Sequence, residues 1–224
     1  MLYRRRDLVR LAFTAGSAVH LAAAQEPAVE SAGPPWKSMF DGSSLNGWKE
    51  TPFTGRGKAE VLDGELALRR GGPLTGITWT GEFPTDDYEV RVQAMRAAGS
   101  DFFAAITFPV GKSFCSWING GWGGTVVGLS SIDGMDASEN ETAMRRDFEN
   151  NRWYALWLRV TQGWIEAWID AHKIIEVDLR GKTVGLRPGE IELSIPFGIA
   201  SYATTARIKQ IEYRSFRAAA EPNR

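Results

Sequence analysis

Hydrophobic and polar positions alternate along the chain between residues 151 and 179, and a short segment at residues 161–163 interrupts the pattern. Because side chains two positions apart on a strand share a face, this alternation predicts two antiparallel strands joined by a tight turn. One face of the predicted hairpin is aliphatic and belongs to a core. The other face is mixed and carries Trp153, Trp157, Arg159, Trp164, Glu166, Trp168 and Asp170.

The same pattern predicts strands along most of the remaining chain. They are expected at residues 61–68 (a hairpin), 88–96, 102–108, 190–195, 198–202 and 207–216. The stretch 88–96 is apolar on one side only, whereas 102–108 is apolar on both sides, which is typical of a central strand. No helix of more than a few turns is predicted.

Composition favours a single all-β domain. A chain of 224 residues with 43% hydrophobic content can bury one sizeable core, and its 24 Gly and nine Trp suit short strands and tight turns. We expect a β-sandwich of two antiparallel sheets at residues 36–217 and a polar tail at 218–224. The 26 basic and 27 acidic residues nearly cancel, which argues against nucleic acid and anionic membranes as partners.

Residues 1–24 have the pattern of an export signal. Arg4 to Arg6 precede an apolar, small-residue stretch, and Ala22 to Ala24 are suited to cleavage. The basic stretch is similar to the twin-arginine pattern. Residues 25–35 have the composition of a linker. We expect an exported protein, periplasmic or extracellular, with no membrane span in the mature chain; a Sec-type signal and an uncleaved anchor are the alternatives.

The mixed face of the predicted hairpin is the first candidate for function. Indole rings interleaved with charges suit a sugar, whose C–H faces stack on aromatic rings while its hydroxyls need donors and acceptors. Trp157, Arg159 and Trp168 are the candidate binding residues, with Glu166 and Asp170 as the carboxylates. The alternative is structural: these Trp side chains lie under a covering loop or in a second hydrophobic layer.

A Gly-rich segment at residues 115–129 is the second candidate. If it forms a strand, Trp117 and Asn119 share a face and present a stacking surface beside an amide, and the glycines allow close approach of a ligand. The alternative is a Gly-rich hairpin on which Trp122 packs. Asp101, just before the predicted central strand, is either a functional carboxylate or a turn residue.

The residue inventory argues against several catalytic classes. The chain has two His, and neither belongs to a zinc-ligand or Ser-His pattern. The single Cys, Cys115, lies in an apolar run and is interpreted as a small buried side chain. The acidic stretch 133–150 matches no EF-hand spacing and is interpreted as a solvated loop. We predict no metal site, and any cofactor requirement stays open.

Several segments resemble one protein family. Phe-Asp-Gly at residues 40–42, followed by Leu-Asn-Gly-Trp at 45–48, resembles the opening signature of the 3-keto-disaccharide hydrolase-like domains. Residues 152–154, 164–170 and 198–211 are similar to later strands of that family. The resemblance implies a concanavalin-like, jelly-roll β-sandwich that cleaves the glycosidic bond of 3-keto-glycosides or disaccharides, and therefore a glycoside or oligosaccharide ligand.

The implied chemistry requires a base, an oxyanion stabiliser and a sugar platform. A ketone at C3 acidifies the hydrogen at C2, so that a base can remove it, the C1 substituent can leave, and water can add back. The candidate bases are Glu166, Asp170 and Asp101, and the candidate stabilisers are Arg159 and Asn119. The candidate platforms are Trp117, Trp122, Trp157 and Trp168.

Two departures from the family pattern reduce the support for catalysis. Many relatives have a Glu-x-Gln strand where this chain has residues 116–120, and a His where it has Ala167. The E-x-D-x-x-E strand of laminarinase-type glycanases is also absent from the sequence. A non-catalytic, lectin-like glycan-binding module is therefore the second hypothesis, and a structural role the third. Convergence of the polar candidates in one cleft discriminates among them.

Overall fold

The structure is a computed structural model and describes residues 33–216. The predicted leader, nearly all of the linker and the tail lie outside these residues. The first sheet contains β1 (Lys37–Ser38), β3 (Ala59–Leu62), β4 (Glu65–Leu68), β6 (Tyr88–Ala98), β11 (Trp153–Val160), β12 (Trp164–Ile169), β13 (His172–Asp178) and β15 (Thr205–Ser215). The second contains β2 (Trp48–Glu50), β5 (Leu74–Trp79), β7 (Ala105–Val110), β8 (Ser113–Gly121), β9 (Val126–Ser130), β10 (Met144–Arg145) and β14 (Gly198–Tyr202).

Both sheets are antiparallel. The strand order of the first is β13-β12-β11-β6-β15-β4-β3, with β1 also paired to β15, and that of the second is β10-β9-β8-β7-β14-β5-β2. Their inner faces enclose one core, which confirms the expected all-β sandwich. Among the described residues, no helix has the length and apolar character needed to cross a membrane.

The alternation along the chain predicted the main strands correctly. β11 and β12 are the expected hairpin, with Leu158 opposite Ala167 on the core side. β6 turns Val90 and Val92 inward and Arg91 outward. A one-residue slip would expose every core side chain of such a strand, so the apolar face fixes the register.

The core is dominated by aromatic and branched side chains from both sheets. Its largest fully buried members are Trp117, Tyr88, Tyr154, Phe103, Phe108 and Phe197. Cys115 is buried among them, as predicted, and burial raises the pKa of its thiol to about 12. The reactive thiolate is therefore not formed near neutral pH.

Two strand predictions differ from the structure. The strand expected at 102–108 begins at Ala105, although it is central as predicted, being fourth of the seven strands in its sheet. Residues 190–195 form not a strand but the 3₁₀ helix Glu190–Ser194. Its alternating sequence is compatible with both forms, because Ile191 packs on an apolar cluster while Leu193 is exposed on the other side.

Candidate functional site

A cleft of about 380 Å³ lies on the outer face of the second sheet. Its floor includes Ser116 and Ile118 of β8, because the neighbouring residues Cys115 and Trp117 point into the core. The complete lining is Leu74, Asp101, Phe102, Ser116, Ile118, Trp122, Ser130, Arg187, Pro188, Gly189, Glu190, Ile191 and Tyr202.

A long loop, residues 185–194, forms one wall of the cleft and is fixed at both ends. At its start, Ser131 and Gly185 exchange backbone hydrogen bonds of 2.6 and 3.1 Å. At its end, the Thr78 hydroxyl donates to the carbonyl of Leu193 at 3.3 Å. These bonds hold Arg187 to Ile191 over the outer face of the sheet.

Asp101 joins two further walls of the cleft. Its Oδ1 accepts the N–H of Phe102 at 2.8 Å, and its Oδ2 accepts the N–H of Gly123 at 2.9 Å. The two loops lie so close that a Cβ on Gly124 would be 2.5 Å from the carbonyl oxygen of Ser100. Asp101 therefore holds a turn in place and also presents a carboxylate to the cleft.

Trp122 is the exposed aromatic side chain at the mouth of the cleft. It has a positive φ of 50°, and the residue is 41% exposed. The guanidinium of Arg187 lies 5.6 Å from its ring centroid and also 3.6 Å from a carboxylate oxygen of Asp136. The arrangement combines a flat apolar surface with a cation that can donate several hydrogen bonds.

Glu190 is the second carboxylate of the cleft. Its Oε1 accepts the N–H of Thr54 at 2.9 Å. Hydrogen bonding by Thr54, through its side chain and then its backbone N–H, lowers the pKa of Glu190 below 4.5. The group is therefore ionised at neutral pH, and it lines the same cleft as Asp101.

A second, more open hollow lies on the other side of the 122–124 turn. Its lining includes Ser100, Gly123, Gly124 and Arg96. Arg96 is 7% exposed and donates from Nε to Asn150 at 2.7 Å, while its buried Nη1 has no hydrogen-bond partner in the described part of the chain.

Trp117 and Asn119 do not line the cleft, contrary to the sequence-based expectation. Both are fully buried, and the Asn119 amide donates to the carbonyl of Ala104 at 3.0 Å. They share a face of β8, as predicted, but it is the inner face. No part of the Trp117 ring is available for stacking on a ligand.

The mixed face of the β11–β12 hairpin lies on the opposite side of the sandwich from the cleft. Trp157 and Trp168 are 5% and 7% exposed, and their rings stack at 4.6 Å. Arg159 contacts both rings and pairs with Glu89 at 2.6 Å and Glu166 at 3.5 Å. The structural alternative, a second packed layer, describes Trp157 and Trp168, whereas Trp164 on the same face is 41% exposed.

Asp170 is also separate from the cleft. It has a positive φ of 56° in the turn after β12. Its Oδ1 accepts the N–H of Ala155 at 3.1 Å, and its Oδ2 accepts bonds from Arg146 and Arg152 at 3.2 and 3.0 Å. These contacts fix the turn. The carboxylates proposed from the sequence therefore do not converge: only Asp101 lines the cleft.

Most residues that line the cleft were not among the candidates predicted from the sequence. Arg187 precedes the strand predicted at residues 190–195, Glu190 begins it, and Tyr202 ends the strand predicted at 198–202. The alternation along β8 contained a usable signal, because Ser116 and Ile118 necessarily face away from Cys115. Over residues 33–216, no group of three or more His, Cys, Asp or Glu side chains is arranged to hold a metal ion.

A family model described as the 3-keto-alpha-glucoside-1,2-lyase-like domain matches residues 35–214. The chain belongs to this family. The match includes both sheets and every residue that lines the cleft. It makes this protein a carbohydrate-related domain. A comparison with curated proteins gave no match.

Solved structures similar to this 3-keto-alpha-glucoside-1,2-lyase-like domain support its fold. The Crh5 transglycosylase in complex with NAG has a TM-score of 0.56 at 12% identity, over 81% of this chain and 84% of that one. The exoplasmic domain of VIP36, in a Ca²⁺- and Man3GlcNAc-bound form, gives 0.54 at 11% identity over 84% and 93%. A carbohydrate esterase from bacteriophage phi24B gives 0.52 at 11% identity over 82% and 100%. The sandwich is therefore of the concanavalin-like type.

The opening motif of the family has a structural role in this chain. Asp41 accepts the N–H groups of Ser43 and Ser44, each at 2.7 Å, and these bonds lower its pKa to about 2. The indole N–H of Trp48 donates to the carbonyl of Met39 at 2.7 Å. The motif closes a turn and anchors it to the core, and it contributes no residue to the cleft.

Proposed function

We propose that this domain binds a saccharide in the cleft of the second sheet and cleaves the glycosidic bond of 3-keto-glycosides. The observation that supports this most directly is the grouping of Trp122, Asp101, Glu190 and Arg187 around one cleft. Family membership supports the 3-keto chemistry.

The reaction can be written as an elimination followed by hydration. A carboxylate takes the proton from C2, and the electron pair of that C–H bond forms an enolate with the C3 ketone. The enolate then expels the C1 oxygen substituent, which leaves with a proton, and a C1–C2 double bond forms. Water adds its oxygen to C1 and a proton to C2, giving the free 3-keto sugar and the alcohol.

Each requirement of this reaction has a candidate in the cleft. Asp101 is the proposed base, because its carboxylate lines the cleft together with Trp122. Glu190 is the second carboxylate and the alternative base. The side chain of Arg187 is 59% exposed and lies 3.6 Å from Asp136, so its guanidinium can turn toward the enolate oxygen. Trp122 is the proposed platform for the sugar ring.

Single substitutions of the carboxylates test this assignment. Asp101→Asn should lower kcat for a 3-keto-glucoside by about 10²–10⁴-fold, the usual contribution of a general base. Glu190→Gln should have a smaller effect if it binds rather than removes the proton. Glu166→Gln, on the opposite face, is the control and should retain full activity. Loss of activity in Glu166→Gln alone would contradict the location of the site.

A lectin-like module remains the second candidate function. It is favoured by the engagement of both Asp101 oxygens with backbone N–H groups, which is typical of a structural carboxylate. In that case saccharide binding should disappear in Trp122→Ala while no 3-keto-glucoside is consumed by the wild-type protein. Calorimetry and product analysis on one sample discriminate the two functions.

Export of the protein is part of the proposal. Residues 1–24 contain the pattern of a twin-arginine signal, and a glycoside-cleaving protein outside the cytoplasm meets its substrate directly. Replacement of Arg5 and Arg6 by Lys should retain the protein in the cytoplasm, as measured by cell fractionation. Unchanged export would contradict this route.

A further inference from the structure

We infer that the group released from the sugar is a phenol: an aromatic aglycone with a polar atom at its far end. The inference rests on the proposed function, because it takes the sugar to lie at the mouth of the cleft. It comes from the way in which the floor of the cleft changes character along the strands of the second sheet.

Strand pairing places the outward side chains of this sheet in rows. One row contains Ser130, Ser116 and Thr107, which face one another on β9, β8 and β7. The next row lies two residues further along the strands and contains Ile118 of β8, Ala105 of β7 and Ala200 of β14. Of these side chains, Ser130, Ser116 and Ile118 line the cleft, so its floor changes from hydroxyls to an apolar group within one repeat of the strand.

A third row completes the apolar region. Tyr202 pairs with Leu74, and Phe102 accepts the N–H of Tyr202 at 3.0 Å and stacks obliquely on its ring, with centroids 5.6 Å apart. Four residues separate the first row from the third, which corresponds to roughly 13 Å of strand. This length accommodates an aromatic ring together with part of a sugar.

Three charged residues line the cleft: Glu190 is held in the wall by the N–H of Thr54, and the other two lie beside Trp122. Asp101 flanks Phe102, and Arg187 lies against the ring of Trp122, so both belong to the mouth. The middle of the cleft is lined by Leu74, Ile118 and Ile191, which cannot bond to sugar hydroxyls. A sugar ring fits the mouth and an apolar ring fits the middle, because buried hydroxyls without partners are strongly disfavoured.

The deep end of the cleft supplies one unused hydroxyl. Ser116 exchanges a 2.8 Å hydrogen bond with Thr107, whereas the buried Oγ of Ser130 has no hydrogen-bond partner within residues 33–216. A ligand that passes the apolar middle can bond to this hydroxyl with a polar atom at its tip. A para-hydroxyphenyl group combines both properties.

Three ligands test the inference on the full-length protein. The methyl, phenyl and 4-hydroxyphenyl 3-keto-glucosides share one sugar and differ only in the aglycone. The phenyl compound should bind at least about tenfold more tightly than the methyl compound, because its ring is buried. The 4-hydroxyphenyl compound should gain roughly a further fivefold from one hydrogen bond. Isothermal titration calorimetry gives the three dissociation constants.

Two pairs of matched variants locate the contacts. Ile191→Ser should remove most of the preference for phenyl over methyl, whereas Leu193→Ser, an exposed position on the same 3₁₀ helix, should leave it unchanged. Ser130→Ala should remove the preference for 4-hydroxyphenyl over phenyl. Its control is Ser194→Ala, because the buried Oγ of Ser194 likewise has no hydrogen-bond partner among the described residues but does not line the cleft.

The outcomes separate this inference from the proposed function. Equal affinity for the methyl and phenyl compounds would overturn the aromatic aglycone and leave saccharide binding intact. Equal affinity for phenyl and 4-hydroxyphenyl would overturn the role of Ser130. No binding of any of the three by the wild-type protein would contradict both the inference and the proposed function. Thermal unfolding of each variant, which should be unchanged or slightly improved for Ser130→Ala, shows whether a loss reflects misfolding.

Discussion

The two outer faces of the sandwich contain the same kinds of side chain and use them differently. On the first sheet, Trp157 and Trp168 stack on each other, and Arg159 bonds to Glu89 and contacts both rings. On the second sheet, Trp122 is exposed, and among the described residues its neighbour Asp101 accepts only backbone N–H groups. The comparison teaches that composition does not identify a binding face. The cleft beside Trp122 does, since Trp164 on the first sheet is equally exposed but lines neither of the two hollows described above.

The outer face of the first sheet should lose stability when its central buried charge, that of Glu89, is removed. Glu89 is fully buried and bonds to both Arg159 and Arg214 at 2.6 Å. Removing one partner from such a buried network typically costs about 3–5 kcal/mol, so Glu89→Ala should lower the free energy of unfolding by about that amount. Denaturant titration measures it. Glu176→Ala, an exposed member of the same face, should change stability by less than about 1 kcal/mol.

Two Trp substitutions compare the faces directly. Trp168→Ala should destabilise the fold by about 3 kcal/mol, because it empties a packed position, and should leave saccharide affinity unchanged. Trp122→Ala should change stability by less than about 1 kcal/mol and weaken saccharide binding roughly tenfold, through loss of stacking. Unfolding curves and calorimetry on both variants provide the measurement. The reverse pattern would assign the ligand site to the first sheet.

A smaller effect is expected from pH on the contribution of Glu190, in the wall of the cleft, to the free energy of unfolding. The folded pKa of Glu190 is lowered from 4.5, so its contribution to stability is fully present above that value and is lost as pH falls through the folded pKa. The difference in unfolding free energy between wild type and Glu190→Gln should therefore shrink between about pH 6 and about pH 3. Glu192→Gln on the same 3₁₀ helix is the control. A constant difference across this range would contradict the assignment.

The sequence was most informative where one face of a strand is buried. The β11–β12 hairpin and β6 follow the alternation closely, because an apolar layer rejects the opposite register. The strand predicted at 190–195 was wrong because this segment has no buried face to fix its conformation. It packs only through Ile191, and a short loop element with one apolar contact is compatible with either a strand or a 3₁₀ turn.

The candidate site was predicted only in part, and the misplacement of Trp117 and Asn119 has a clear cause. Asp101 and Trp122 line the cleft, whereas Trp117, Asn119, Glu166 and Asp170 do not. Alternation assigns neighbouring residues to opposite faces but does not say which face is inside. In the Gly-rich β8, Trp117 fills the core and Ser116 faces the cleft, although an indole next to an amide suited a ligand equally well.

By itself, the sequence determined the all-β architecture, the pairing of its main hairpin, the buried state of Cys115 and, through its motifs, the family. These depend on local periodicity and on residue types that a short stretch contains. Only the tertiary structure decided which outer face is packed and which is open. That choice depends on where distant loops such as 99–103 and 185–194 come to lie, and contacts between residues far apart in the chain leave no periodic trace in it.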